Sequence, residues 1–454
     1  MSHASADADV LDPAVWPASA HRDAAGAIVV GGVSAPELVA RFGSPLYVLD
    51  EDEARARARR IRTALADAAR AIGTEAHVYY AGKAFLSGEA ARWMVEEGLG
   101  IDVCTGGELA VALAAGVAPA LIGFHGNNKS VAEIERAVAA GVGTIVIDSE
   151  IEIERVARAA RAAGRVQRVR LRVNSGVHAS THEFLATAHE DQKFGVPLGR
   201  AVELGVRIRA HDSLDFLGLH CHIGSQIFDA GGFAESAARL LDAHAALLAG
   251  GEVPELNLGG GFGIAYTSDD TPAPIEEIAA GIAAAVADGC RERGIRPPRL
   301  AFEPGRAIIG PAGVTLYTVG TVKAVPIDGG VRHYVSVDGG MSDNARPALY
   351  GADYTVRLAS RTGTADPVLV RVAGKHCEAG DIVVDHDQLP GDVGPGDLVA
   401  LAATGAYCWS LASNYNHVPR PPVVAVAGGE ARVIVHGDTE ESLLARDAGL
   451  RGRN

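Results

Sequence analysis

Cysteine is scarce in this 454-residue chain: Cys104, Cys221, Cys290, Cys377 and Cys408, an odd number with no C-x-x-C. That excludes a dense disulfide framework and reads as reduced thiols, any one of them open to chemistry. Positive charge is in deficit as well. A formal net charge of −15 provides no basic face for nucleic acid or an anionic membrane, although it leaves room for a local basic pocket. No apolar run is long enough to span a bilayer. The opening M-S-H-A-S-A-D-A-D-V lacks the basic and apolar regions of a signal peptide, so the expectation is a cytoplasmic protein. Internal repeats and low-complexity linkers are missing too.

What is present is an ordinary globular composition, 48 % hydrophobic and 21 % charged, on a chain long enough for two or three domains. Residues 1–24 are polar and Ala/Asp-rich, and are expected to be poorly ordered. Residues 25–50 hold two strand-like runs (26–33 and 45–49) assigned to a β domain, and a long helix is expected from Glu51 to about Ile72. Short apolar strands then alternate with amphipathic helices. Eight strands are expected: 76–80, 100–103, 121–124, 144–147, 169–173, 216–221, 255–258 and 300–302. Eight βα units over residues 51–309 predict a (β/α)8 barrel. From 310 to 454 the pattern changes to alternating β-branched runs with Gly/Pro turns, which predicts an all-β barrel or sandwich.

Chemistry in a (β/α)8 barrel sits at the C-terminal strand ends. Here those positions carry Lys83, Asp102, His125, Asp148, Asn174, His220 to Ser225, the G-G-G-F-G run at 259–263, and Glu303-Pro304-Gly305-Arg306. A lone lysine at a strand end is ordinarily a solvated charge, and a lone glycine run is ordinarily a tight turn. Together they say more. Glycines after the seventh strand let backbone amides converge on a phosphate, with Ser225 and Arg306 able to add a hydroxyl and a guanidinium. A lysine, a phosphate cradle and the Glu303 carboxylate in one barrel mouth point to pyridoxal 5′-phosphate (PLP). The lysine forms a Schiff base, and the carboxylate keeps the ring nitrogen protonated.

The motifs Y-A-G-K-A (80–84), H-I-G-S-Q (222–226), G-G-G-F-G (259–263), E-P-G-R (303–306), R-P-A-L-Y (346–350), H-C-E (376–378) and G-A-Y (405–407) occur in one order from about Gly43 to Arg446. In this the chain resembles the fold-type III PLP-dependent decarboxylases of ornithine, arginine and diaminopimelate. The resemblance implies Lys83 as the Schiff-base lysine, His222 stacked on the PLP ring and Glu303 at its nitrogen. It implies Ser225, Gly259, Gly260, Gly261, Gly305, Arg306 and Tyr407 around the phosphate, with Arg306 and Tyr407 also reaching the substrate. Arg346, Tyr350 and Glu378 would bind the substrate's distal end, and Cys377 would donate the proton that replaces CO2. It further implies a homodimer whose active sites are shared, the partner subunit supplying the H-C-E segment.

A distal carboxylate suits a bidentate arginine and a distal ammonium suits a glutamate. Arg346 and Glu378 therefore favour meso-diaminopimelate, decarboxylated to L-lysine, over ornithine or arginine. Ala379, where such enzymes usually have serine, puts one local hydrogen bond in doubt, and Ser180–His182 reads S-T-H where relatives often have H-T-H. Two other classes were weighed. His220-x-His222 and His178-x-x-x-His182 have metal-ligand spacings, as in a metal-dependent barrel hydrolase, but those enzymes usually carry H-x-H on the first strand, where Lys83 stands; no metal is expected. A racemase of similar fold would oppose the ring nitrogen with arginine, and a PLP carrier would lack the β domain. Asp102 and Asp148 are expected to be helix N-caps.

Overall fold

The structure, a computed structural model, describes residues 8–177 and 192–450. The chain forms two compact units: a barrel unit of Arg55–Gly263 and Thr271–Ile308, and a β unit drawn from the chain up to Ala54, from Ile264–Asp270 and from Ile309 onward.

Besides a two-residue strand at Val196–Pro197, the described residues of the barrel unit contain eight strands: β1 (Ala76–Ala81), β2 (Gly100–Val103), β3 (Ile122–Phe124), β4 (Thr144–Ile147), β5 (Gln167–Asn174), β6 (Leu214–His220), β7 (Glu255–Asn257) and β8 (Arg299–Phe302). Each pairs in parallel with the next, and β8 pairs with β1 through Leu300–Ala76, Ala301–His77 and Phe302–Val78, closing the barrel. Strands followed by helices close this way because parallel neighbours need a crossover. The strand-to-helix turns carry the capping residues that such crossovers favour. Ser87, Thr105 and Ser130 accept from backbone amides of the first turns of Gly88–Glu96, Gly106–Ala114 and Val131–Ala140, and Ser130 forms a capping box with Glu133.

The barrel interior is polar at its centre. Arg170 on β5 and Glu255 on β7, each 1 % exposed, form an ion pair. Arg299 on β8 reaches Glu255 at 3.2 Å, and Arg170 donates to the Tyr79 hydroxyl of β1 at 3.1 Å. Residues from strands so widely spaced around the ring meet only inside it. Apolar packing lies on the alternate positions, including Tyr80, Ile101, Val103, Phe124, Ile145 and Ile147, all buried.

In the β unit the strand Gly313–Ile327 is the organiser. It pairs antiparallel with Gly330–Val337, Leu398–Leu401 and Leu46–Asp50, and Leu46–Asp50 pairs in parallel with Val423–Ala427. The sheet continues through Pro367–Ala373 and Ile382–Pro390 on one side and Glu430–Val435 on the other. Gly428 (φ +57°) and Gly429 (φ +83°) make the hairpin between the last two strands, a two-residue turn that demands left-handed residues.

Three expectations are corrected. The expected disorder of residues 1–24 does not hold from Ala8 onward: Val15 and Trp16 are buried, and Arg22 pairs with Asp9 at 3.1 Å and donates to Gly26 O at 2.7 Å. Two apolar anchors outweigh the Ala/Asp composition around them. A helix at Arg346–Tyr350 and a strand at Val356–Leu358 were not expected, because both are too short to show a period. Asp102 and Asp148 are not N-caps. Thr105 caps after β2, and Asp148 instead accepts from the Gly195 amide at 3.0 Å.

Candidate active site

The barrel closure places Lys83, just after β1, next to Glu303, just after β8. Lys83 sits in a single 3-10 turn, Gly82–Ala84, and is exposed. Glu303, by contrast, is 9 % exposed and pinned. The Asn257 side-chain amide at the end of β7 donates to Oε1 at 2.7 Å. His220 Nε2 lies 3.1 Å from the carboxylate and His125 Nε2 lies 3.6 Å from it.

Burial alone would raise the Glu303 carboxyl, but the His220 and His125 imidazoles outweigh it and hold Glu303 well below the usual carboxylate range. Asp102 behaves in the opposite way. It points into the same interior, 3.2 Å from His125 Nε2, and neither oxygen has a hydrogen-bond partner among the described residues. Burial first, and then the Glu303 charge, push Asp102 well above the ordinary range. Of this coupled pair Glu303 carries the charge and Asp102 the proton. Burial lowers both imidazoles, His125 to about 4 and His220 as well, while the Glu303 charge pulls each the other way.

His222 lies beyond the end of β6. Its Nδ1 accepts from the Gly260 amide at 3.3 Å, and burial, then the Lys83 ammonium, lower it well below its ordinary value. The neutral ring therefore carries its proton on Nε2. Donor atoms of His125, His220 and Glu303 lie within 4.8 Å of one another. His222 is not among them. His178 and His182, and the S-T-H segment, lie outside the described residues.

The glycine loop after β7 is close-packed on its neighbours. A Cβ on Gly260 would stand 2.1 Å from Glu303 O, one on Gly259 2.5 Å from Cys221 O, and one on Gly261 2.5 Å from Gly224 O. Gly259 and Gly261 also adopt φ of +71° and +114°. Beside the loop, Arg306 Nη2 donates to Ser225 Oγ at 2.9 Å, and Gly305 packs against Ala81 and Ala84. This backbone cradle with a hydroxyl and a guanidinium, and an ionised, pinned carboxylate, fits PLP: the anion end and the ring-nitrogen end each have a matching partner.

In the β unit, Arg346 opens the helix Arg346–Tyr350 and is 6 % exposed. Its guanidinium lies 4.6 Å from the Tyr266 ring centre and donates to the Tyr354 hydroxyl, which lies 3.5 Å from Cys408 Sγ. Tyr350 is 63 % exposed. Cys377 and Glu378 are exposed on the turn after Pro367–Ala373, as is Ala379. His376 beside them is buried, with Nε2 2.8 Å from Ser342 Oγ and Nδ1 3.0 Å from Asn416 Oδ1. Tyr407 has φ +64°, a left-handed conformation rare for an aromatic residue. Sequence reasoning missed Asn257, Tyr354, the hydrogen bond of His220 to Glu303 and the approach of His125 to the same carboxylate. Polar residues inside apolar strands were the available signal.

A family model described as "Pyridoxal-dependent decarboxylase, pyridoxal binding domain" matches residues 57–310. The diaminopimelate decarboxylase of Mycobacterium tuberculosis (strain ATCC 25618 / H37Rv) is 51 % identical over 444 residues, 96 % of this chain and 98 % of that one. The Bacillus subtilis (strain 168) enzyme of the same name is 43 % identical over 434 residues, 93 % and 95 % of the two chains. Among solved structures, diaminopimelate decarboxylase from M. jannaschii in complex with L-lysine superposes with a TM-score of 0.88 at 30 % identity, covering 95 % of this chain and 98 % of that one. With two strand ends, a glycine cradle and near full-length matches all agreeing, the chain belongs to the pyridoxal-dependent decarboxylases, in the branch of the diaminopimelate decarboxylases.

Proposed function

We propose that this chain decarboxylates meso-diaminopimelate to L-lysine and CO2, the last step of lysine biosynthesis, with PLP as cofactor. The observation that carries the reading is Glu303: a buried carboxylate, hydrogen-bonded by Asn257 and His220, at a strand end adjacent to that of Lys83. PLP, when bound, supplies a protonated pyridine that accepts the electron pair of the broken Cα–carboxylate bond.

The residues supply the rest. Lys83 would be the residue that holds the cofactor covalently. Glu303 would keep the pyridine nitrogen protonated, and His222 would stack against the ring. Amides of Gly259, Gly260 and Gly261, with Gly305, Ser225, Arg306 and Tyr407, bind the phosphate; Arg306 and Tyr407 also contact the substrate. Arg346 pairs with the distal carboxylate and Glu378 with the distal ammonium, Tyr350 covering that end. Cys377 then donates its thiol proton to Cα after CO2 departs. The exposed Cys377 and Glu378 support a homodimer in which the partner subunit presents this turn. No helix among the described residues is long and apolar enough to cross a membrane, which supports a cytoplasmic enzyme.

Visible absorbance of the purified holoenzyme, with CO2 release from meso-diaminopimelate and from ornithine, tests the reading. A coloured protein that releases CO2 from diaminopimelate and yields lysine is expected. Release from ornithine alone would overturn the substrate assignment, and a colourless protein unresponsive to PLP would overturn the chemistry.

A further inference from the structure

The Cys377–Glu378 turn is exposed, yet its base is locked by one buried carboxylate. Asp381, 2 % exposed, accepts from the His376 amide at 2.8 Å and from the Met341 amide at 2.6 Å. Its own backbone closes the same turn: Asp381 N donates to Glu378 O at 3.1 Å and Asp381 O accepts from Gly374 N at 3.0 Å. The two amides belong to different segments. His376 precedes the thiol, whereas Met341 lies in the loop that leads to Arg346.

That second segment is itself anchored. Asp343 accepts from the Gly340 amide at 2.8 Å and from the Tyr317 hydroxyl, and its carbonyl accepts from the Tyr47 hydroxyl. Lys375 N donates to Gly339 O at 2.9 Å. Space around the carboxylate is also reserved. A Cβ on Gly374 would stand 2.2 Å from Asp381 Oδ2, and one on Gly340 2.5 Å from Oδ1. Two glycines flank a carboxylate that bonds two loops, a geometry that tethers an exposed turn to the sheet.

We propose that Asp381 is the positioning residue of the Cys377–Glu378 turn, holding the proton donor and the distal-ammonium ligand in register with the Arg346 segment. The proposal rests on the roles given above to Cys377 and Glu378. Because one carboxylate serves both, disturbing it affects proton donation and substrate affinity together, whereas Cys377→Ala affects chiefly the first and Glu378→Gln chiefly the second.

The test is steady-state kinetics of the holoenzyme with meso-diaminopimelate, alongside the cofactor's visible absorbance and the melting temperature. Asp381→Asn keeps one acceptor oxygen and loses the other. It is expected to lower kcat and raise KM, each by about tenfold, the scale of a lost hydrogen bond to a charged group, with absorbance and melting temperature near wild type. Gly374→Ala, which crowds the same carboxylate without removing it, is expected to reproduce the joint change and serves as the deciding variant if Asp381→Asn does not fold. Values of kcat and KM both within twofold of wild type in a folded variant would overturn the proposal. If Cys377→Ala and Glu378→Gln are themselves neutral while wild type turns over diaminopimelate, the roles of the turn fail and the proposal falls with them. A wild type inactive on diaminopimelate would identify the failure as that of the functional reading.

Discussion

At the scale of single residues, the site divides into groups whose task follows from their charge state and groups whose task follows from shape. Lys83→Ala removes the only covalent attachment proposed for PLP. Loss of CO2 release, together with loss of the visible band of lysine-bound cofactor, is expected, with the melting temperature within a few degrees of wild type since Lys83 is exposed. Arg346 is the shape-dependent case. Its planar guanidinium lies over the Tyr266 ring and bonds to Tyr354, and a single ammonium cannot keep both while offering a carboxylate a bidentate face. Arg346→Lys is expected to raise KM for diaminopimelate by about 10- to 100-fold, read in initial-rate kinetics, with a smaller effect on kcat. Much of this residue list was legible in the sequence because strand-end motifs announce themselves. The partners were not. Asn257 and His220 bond to Glu303 from strands distant in the chain, and Asp381 looks in sequence like any turn aspartate.

At the scale of elements, the helix caps do not follow expectation, since Thr105, not Asp102, caps the helix after β2, whereas the eight strands fall within a few residues of their expected bounds. The exceptions are the short pieces at Arg346–Tyr350 and Val356–Leu358, which no period reveals. The glycine loop after β7 gives a direct check. In Gly260→Ala the new methyl would meet Glu303 O, so the loop must shift away from β8. Weakened PLP binding, by about tenfold or more for lost backbone contacts to an anion, is expected in a cofactor titration followed by absorbance. The helix Gly231–Leu248 offers a second check. His244 within it is 1 % exposed, and burial pushes it down to about 4. The unfolded chain binds this proton near pH 6.5 and the folded chain does not, so stability falls as pH drops from about 6.5 towards 4. Going from pH 7 to pH 5, wild type should lose about 2 kcal/mol more than His244→Gln, measured by denaturant unfolding at both pH values.

For the whole molecule, the proposed dimer has a sharp consequence. If each active site takes Lys83 from one subunit and Cys377 from its partner, Lys83→Ala and Cys377→Ala subunits complement each other. In a statistical mixture half of the dimers are mixed and each holds one intact site. Mixing the two inactive or slowed variants and allowing subunit exchange should therefore restore roughly a quarter of wild-type activity. A mixture no more active than its components would show that each site is complete within one chain.

The closure of the barrel by β8 on β1 also sets an order of events during synthesis. Lys83 and Glu303 are neighbours only because Leu300, Ala301 and Phe302 pair with Ala76, His77 and Val78, more than two hundred positions earlier. A growing chain that has exposed Lys83 but not yet β8 owns a reactive amine with no carboxylate to complement it. Such a chain has no means of selecting its cofactor from other aldehydes. Faithful loading must therefore wait until nearly two-thirds of the polypeptide has been made, and a ribosome-stalled fragment ending before Arg299 should retain no cofactor absorbance once free PLP is removed by gel filtration.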